Sequence, residues 1–173
     1  TAINAALSGD TIAIDTGVYA ENVVVDKPLT LRRASRGSHP LLVPAGSSPN
    51  SCAGASLCGD SSESNLILVQ ADNVTIDGLT LDGDNPNLTS GIVAGGADLD
   101  ARNGIITDHR LNPVFNNLTV VRTTVRNIYL RGIYASSGGT FTFTGNSVRN
   151  VQADPYSIAM FNFGGSGIME DND

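Results

Sequence analysis

Two eleven-residue stretches decide the reading of this chain: NLTVVRTTVRN at 117–127 and TFTFTGNSVRN at 140–150. They start 23 residues apart, and Val125-Arg126-Asn127 recurs as Val148-Arg149-Asn150. A third copy, NVTIDGLTLDG at 73–83, begins 44 residues before the first. Within each copy apolar and polar residues alternate, the signature of a half-buried strand, and turn residues follow within a few positions. A recurrence near 22 residues with two or three short strands per period reads as a stacked β-architecture, in which each unit buries its faces only against its neighbours. The spacing predicts inward columns Val74/Ile76, Leu118/Val120 and Phe141/Phe143, and amide ladders at Asn127 and Asn150. Because 44 is twice 22, a further copy is expected near residue 95, with a strand at 104–107. Short strands are also expected at SGIVAG (90–95), RGIYAS (131–136) and YSIAMF (156–161), and a fifth unit at GIMEDN.

The beginning of the chain fits the same plan. GDTIAIDTGVYAENVVVDKPLTL, residues 9–31, holds three short apolar runs, Thr11–Ile14, Asn22–Val25 and Leu29–Leu31, separated by turn chemistry. TAINAALS at 1–8 has apolar residues at helical spacing and is expected to be a short capping helix. Gly17, Tyr19 and Glu21 form a G-x-Y-x-E group. It reads as a structural corner, with a tight turn at Gly17, Tyr19 filling the space under the cap, and Glu21 pairing with Arg32 or Arg33.

The 173 residues suffice for one domain, 1–173, interrupted by a Ser/Gly-rich excursion at 44–65. With 40% hydrophobic residues the chain can bury a core, and nineteen glycines suit a turn-dense fold. The net charge is −7, with a single lysine, Lys27. That balance opposes a general nucleic-acid binder, and no apolar stretch approaches the ~20 residues needed to span a bilayer. The chain starts at Thr and stops just after Ile168-Met169, which reads as a piece of something longer, truncated after its last coil. Cys52 and Cys58, six apart in a flexible segment, can close a disulfide and would then imply an oxidising compartment. Free thiols and a metal site are the alternatives.

At these residues the sequence resembles the right-handed parallel β-helix, or pectin-lyase-like, superfamily. AINAALSGDTIAIDTGVYAENVVVDKPLTL resembles the start of such domains, and NVTIDGLTLDG and FTFTGNSVRN resemble their generic coils. The resemblance implies an all-β solenoid in a secreted, periplasmic or cell-surface protein, a monomer that engages polysaccharide. The activity motifs of pectin methylesterases, polygalacturonases and pectate lyases are not matched; ITDHR at 106–110 is only faintly similar to one of them. The function expected for this segment is therefore polysaccharide engagement without a visible activity signature. The alternative is a lyase, hydrolase or epimerase acting on uronate-rich chains, with catalytic coils wholly or partly downstream.

Candidate chemistry follows from residue type. Asp108 and His109 could form an acid–base pair with Arg131, and Arg110 could clamp an anionic sugar; an ordinary solvated turn is the alternative. Arg126 and Arg149, one repeat apart, are expected to stack, binding an anionic chain or pairing with neighbouring carboxylates. Tyr129, Tyr134 and Tyr156 could stack on sugar rings, or serve as core or rim residues of their strands. Asp82, Asp84 and Asp100 could hold Ca²⁺, or serve simply as turn residues. The N-x-T triplets at Asn73, Asn87 and Asn117 read as repeat geometry rather than glycan acceptors.

Overall fold

The computed structural model describes residues 2–49, 64–108, 114–135, 138–152 and 155–173. Apart from one four-residue helix, α1 (Ala2–Ala5), its regular structure is all strand. Strands are numbered in chain order. Six of them lie side by side in parallel: β1 (Thr11–Ile14), β4 (Thr30–Arg33), β7 (Thr75–Asp77), β12 (Leu118–Val121), β14 (Thr140–Thr144) and β17 (Ser166–Glu170). Their order in the sheet is their order in the chain, so each pass of the chain adds one strand beside the last.

A second, strongly curled sheet takes the remaining parallel strands. One arm holds β2 (Gly17–Ala20), β5 (Pro40–Val43), β8 (Thr80–Asp82) and β15 (Ser147–Val151); the other holds β3 (Val23–Val25), β6 (Asn65–Val69), β11 (Ala101–Thr107) and β16 (Ile158–Asn162). The arms are joined by the twelve-residue β13 (Thr124–Ala135). Its first half pairs with β8 and β15, and its second half with β11 and β16.

The register explains why these residues choose strands. Ile12, Leu31, Ile76, Val120, Phe143 and Met169 stand opposite one another on successive strands of the six-stranded sheet. Leu81, Val125 and Val148 make a second column, and Ile67, Ile105 and Ile133 a third; all three feed one core. Each large apolar side chain buried there contributes roughly 1.5–3 kcal/mol. The expected columns Val74/Ile76, Leu118/Val120 and Phe141/Phe143 are all buried.

Turns repeat as well. Asn73, Asn117, Asn127 and Asn150 have φ of 56°, 58°, 55° and 53°, a left-handed conformation that asparagine tolerates better than most residues. Asn150 Nδ2 donates to Asn127 Oδ1 at 2.8 Å, the expected ladder, and Asn117 Nδ2 donates to Asn73 Oδ1 at 2.9 Å.

Several local expectations are corrected. The copy expected near residue 95 adds no strand to the six-stranded sheet, because β7 pairs directly with β12 across the 44-residue interval. The chain instead leaves β8 at Gly83, makes an antiparallel hairpin of β9 (Val93–Ala94) and β10 (Ala97–Asp98), and returns as β11. The counterpart of RGIYAS is therefore NGII at 103–106, opposite Arg131–Tyr134, and not SGIVAG. Gly17 is no turn residue: it opens β2 with an ordinary φ, and a Cβ there would press on the Tyr19 ring at 3.3 Å. Glu21 makes no ion pair with Arg32 or Arg33; it lines an apolar cavity of about 150 Å³ under α1, with Ile3, Ile12, Tyr19 and Leu31. Tyr19 thus walls this space without filling it, and its hydroxyl donates to the Asp15 carbonyl at 3.1 Å. The cap itself is shorter than residues 1–8, and Lys27 Nζ secures it by donating to the carbonyls of Ile3 and Ala6.

Candidate functional site

Side chains alternate across a strand, so the second arm of the curled sheet carries an outward column between the inward ones. Ile67, Ile105 and Ile133 belong to the core, while Leu68, Ile106 and Tyr134 form a separate apolar cluster with Phe161 packed against it. Their register is continuous, with Leu68 opposite Ile106, Ile106 opposite Tyr134, and Tyr134 opposite Phe161.

Aromatic rings dominate one end of this column. Tyr134 and Phe161 stack at 5.1 Å between centroids with 22° between planes, and Phe163 adjoins Phe161 at 6.2 Å. The Arg131 guanidinium lies 6.0 Å from the Phe161 ring centroid and donates to the carbonyl of Tyr156. Beside it, Arg102 lies 5.9 Å from the ring of Tyr129, and Ser157 Oγ donates to the Tyr129 carbonyl. The rings offer quadrupole faces to the cations, and the cations fix the rings in return.

Exposure divides the labour. Tyr134 is only 5% exposed, whereas Phe163 is 63% and Tyr156 74% exposed. Tyr134 therefore supports the platform, and the accessible stacking faces are those of Phe163 and Tyr156. Burial pushes the Tyr134 phenol above its ordinary value, with Arg131 pulling it the other way, so at neutral pH it remains a hydroxyl.

Beyond the end of β11, next to this column, the chemistry differs. Asp108, directly after β11, is 1% exposed, and its Oδ2 accepts from Gln70 Nε2 at 2.8 Å. Asp108, Arg131 and Tyr134 are thus gathered on one arm of the sheet. His109, Arg110, Cys52 and Cys58 lie outside the described residues.

The remaining candidates sit elsewhere. Arg126 and Arg149 do stand opposite each other, on the first arm. Arg126 Nε donates to Asp82 Oδ2 at 2.7 Å, and Arg149 Nη2 to Asp173 Oδ2 at 3.0 Å. Asp82 Oδ1 also accepts from Asn127 Nδ2 at 2.7 Å. Asp84 is pushed above the ordinary carboxylate value first by burial and then by the Asp82 charge. Asp100, fully buried, accepts the Asn85 backbone N–H at the neck of the 83–100 excursion. Among the described residues no group of three or more His, Cys, Asp or Glu is placed to hold a metal ion, so Asp82, Asp84 and Asp100 are not assembled as a calcium site. Their work is to close and orient turns. No helix among the described residues is long and apolar enough to cross a membrane.

Sequence reasoning missed Phe161 and Phe163. A signal was present: in MFNF, residues 160–163, the two phenylalanines are two apart and so share a face opposite Met160. No protein-family model, curated protein or solved structure matches the chain.

Proposed function

We propose that the chain winds as a right-handed parallel β-helix and engages polysaccharide, without catalysis by this segment, through the aromatic end of its outward column. The observation that carries the reading is the run Tyr134–Phe161–Phe163 with Arg131 against it. Two exposed aromatics, Phe163 and Tyr156, offer flat apolar faces to the C–H face of a sugar ring, while Arg131 and the buried Tyr134 hold the platform rigid. A rigid platform loses little entropy on binding, which favours a polymer that presents the same face repeatedly. The β-helix reading is supported by parallel pairing, by chain-ordered strands and by columns that recur on every pass. Such a module suits a secreted, periplasmic or cell-surface protein.

The alternative, a lyase, hydrolase or epimerase on uronate-rich chains, needs an accessible acid–base pair. Asp108 is buried and joined to Gln70, which favours the non-catalytic reading. Affinity electrophoresis of the full chain against neutral and uronate polysaccharides tests it, with Ca²⁺ or chelator present and with unsaturated products, reducing ends and released esters followed together. Retardation that Phe163→Ala abolishes, with no product formed, is the expected result. Product formation that Asp108→Asn removes would replace it with the enzymatic reading.

A further inference from the structure

The arginines that escaped the site above are concentrated at one edge of the six-stranded sheet, in the turns where the chain leaves that sheet for the curled one. Arg32 and Arg33 end β4, Arg36 sits in the turn that follows, and Arg122 occupies the corresponding turn after β12. Between them runs the turn after β7, Asp77-Gly78. Gly78 has φ of 71°, and a Cβ there would come within 2.8 Å of Arg33 Nε and 2.9 Å of its Cδ. The Arg33 side chain therefore lies across the Gly78 turn.

Charge neutralisation at this edge is incomplete. Asp77 Oδ2 accepts from Arg122 Nη2 at 2.6 Å, while Asp77 Oδ1 has no hydrogen-bond partner, so neither Arg32 nor Arg33 is bound to it. Asp15 is the other carboxylate at this edge from β1 to β12; Glu170 ends β17 and Asp171 follows it, two strands beyond Arg122. Asp15 Oδ1 is taken by the Thr16 backbone N–H and by Ser38 Oγ, which hold its pKa below the ordinary value. Among the described residues Arg32, Arg33 and Arg36 take part in no ion pair. From β1 to β12, four guanidinium groups stand against two carboxylates, a locally positive stretch on a chain of net charge −7.

We propose that this arginine edge is a second binding site, for the oxyanion groups, sulfate ester or carboxylate, of an extended acidic glycan. Guanidinium forks match planar or tetrahedral oxyanions bidentately, and three forks without a carboxylate partner, clustered at the one turn after β4, offer several donors to a single anionic stretch of chain. A glycan is preferred to nucleic acid because duplex DNA carries one charge per ~1.7 Å and would meet the acidic remainder of the surface. The inference rests on the polysaccharide reading only for that preference, since the edge lies on a different sheet from the aromatic platform.

The test compares dextran, dextran sulfate, polygalacturonate and duplex DNA as ligands at low salt, using the full chain, Arg32→Gln/Arg33→Gln/Arg36→Gln and the single Arg36→Gln. Circular dichroism and thermal melting check each variant's fold, and Arg36→Gln, in an exposed turn, serves if the triple variant melts early. The proposal expects at least one of the two acidic glycans to bind, and the triple variant to lose at least tenfold in affinity for it. Arg36→Gln should lose about threefold, and any binding of neutral dextran should be unchanged. Which acidic glycan binds identifies the oxyanion. Unchanged affinity in both arginine variants, no binding of either acidic glycan, or tighter binding of DNA than of both would each overturn it. Loss of dextran binding in Phe163→Ala with acidic binding intact would separate the two sites; dextran binding indifferent to Phe163→Ala would sink the aromatic platform and leave the arginine edge standing.

Discussion

One strand, β13, carries two opposite solutions to the problem of an outward column. In its first half Arg126 stands between Asp82 and Arg149, a charged stripe neutralised from neighbouring passes, its arginines open to water over a buried Asp82. In its second half Tyr134 stands between Ile106 and Phe161, an apolar and aromatic stripe that is mostly buried. The inward residues of both halves, Val125 and Ile133, are ordinary core. Inward positions are constrained alike by packing, so the outward column is where two arms of one sheet come to differ in chemistry. A charged outward stripe adds little stability; a buried aromatic one adds more.

The largest test of that contrast is Tyr134→Ala, which removes a buried ring and its stacking partner on Phe161. It should cost about 3 kcal/mol in urea unfolding, near the low end for truncating a buried aromatic. Next comes Asn127→Ala, which forces alanine into φ of 55° and removes the amide that donates to Asp82 and accepts from Asn150. A loss of about 2 kcal/mol is expected, with Asn127→Gly recovering the backbone part and so dividing conformation from hydrogen bonding. Arg126→Ala should cost roughly 1 kcal/mol: its own side chain is half exposed, which limits the loss, but Asp82 is nearly buried and would keep bonds on its other oxygen only. If Arg126→Ala proved costlier than Tyr134→Ala, the contrast between the arms would collapse.

The smallest effect concerns pH and the 83–100 excursion. Hydrogen bonds from the Ser90 hydroxyl, and then from its backbone, hold the Asp98 carboxyl below its ordinary value of 3.8. A depressed folded pKa contributes stability above the unfolded pKa, and that stability is lost as pH falls through the lower folded one. Asp84 is shifted the opposite way, so its cost is present at neutral pH and is relieved as pH falls through a value above 3.8. Acidification should therefore first ease the excursion at Asp84 and only then weaken it at Asp98. Ser90→Ala should raise the Asp98 midpoint seen by carboxyl NMR titration and leave that of Asp84 in place; an unmoved Asp98 would remove the hydrogen-bond explanation.

Much of this was legible in the residues themselves. Ile76, Val120 and Phe143 occupy the same place in three copies of one pattern, and the Val-Arg-Asn recurrence located both the arginine register and the asparagine turn. The excursion at 83–100 was not legible, because a 44-residue interval looks like two units when one unit carries an inserted hairpin. Closure at Gly83 and Asp100 depends on contacts between residues far apart in sequence, such as Asn85 Nδ2 donating to the Pro44 carbonyl at 2.7 Å. The site was half legible for a similar reason. Asp108, Arg131 and Tyr134 stood out by residue type, but their division into buried support and exposed platform depends on what lies over each, which alternation alone does not determine. Charge alone suggests Arg32 and Arg33 as partners for Glu21, whereas Glu21 lines the cavity under α1 and neither arginine forms an ion pair with it.

The central claim is that each pass returns to the same sheet in parallel, so that Thr75 lies opposite Thr119 despite the 44 residues between them. The most direct measurement is oxidative cross-linking of Thr75→Cys/Thr119→Cys in a chain whose own Cys52 and Cys58 are changed to serine. Paired Cα atoms on adjacent strands lie within the ~4.4–6.8 Å that a disulfide spans. The account predicts rapid, near-complete intramolecular cross-linking for this pair, and little for Thr75→Cys/Val120→Cys, whose side chains point to opposite faces. Equal cross-linking of the two pairs, or none in Thr75→Cys/Thr119→Cys, would contradict the register and with it the stacked fold.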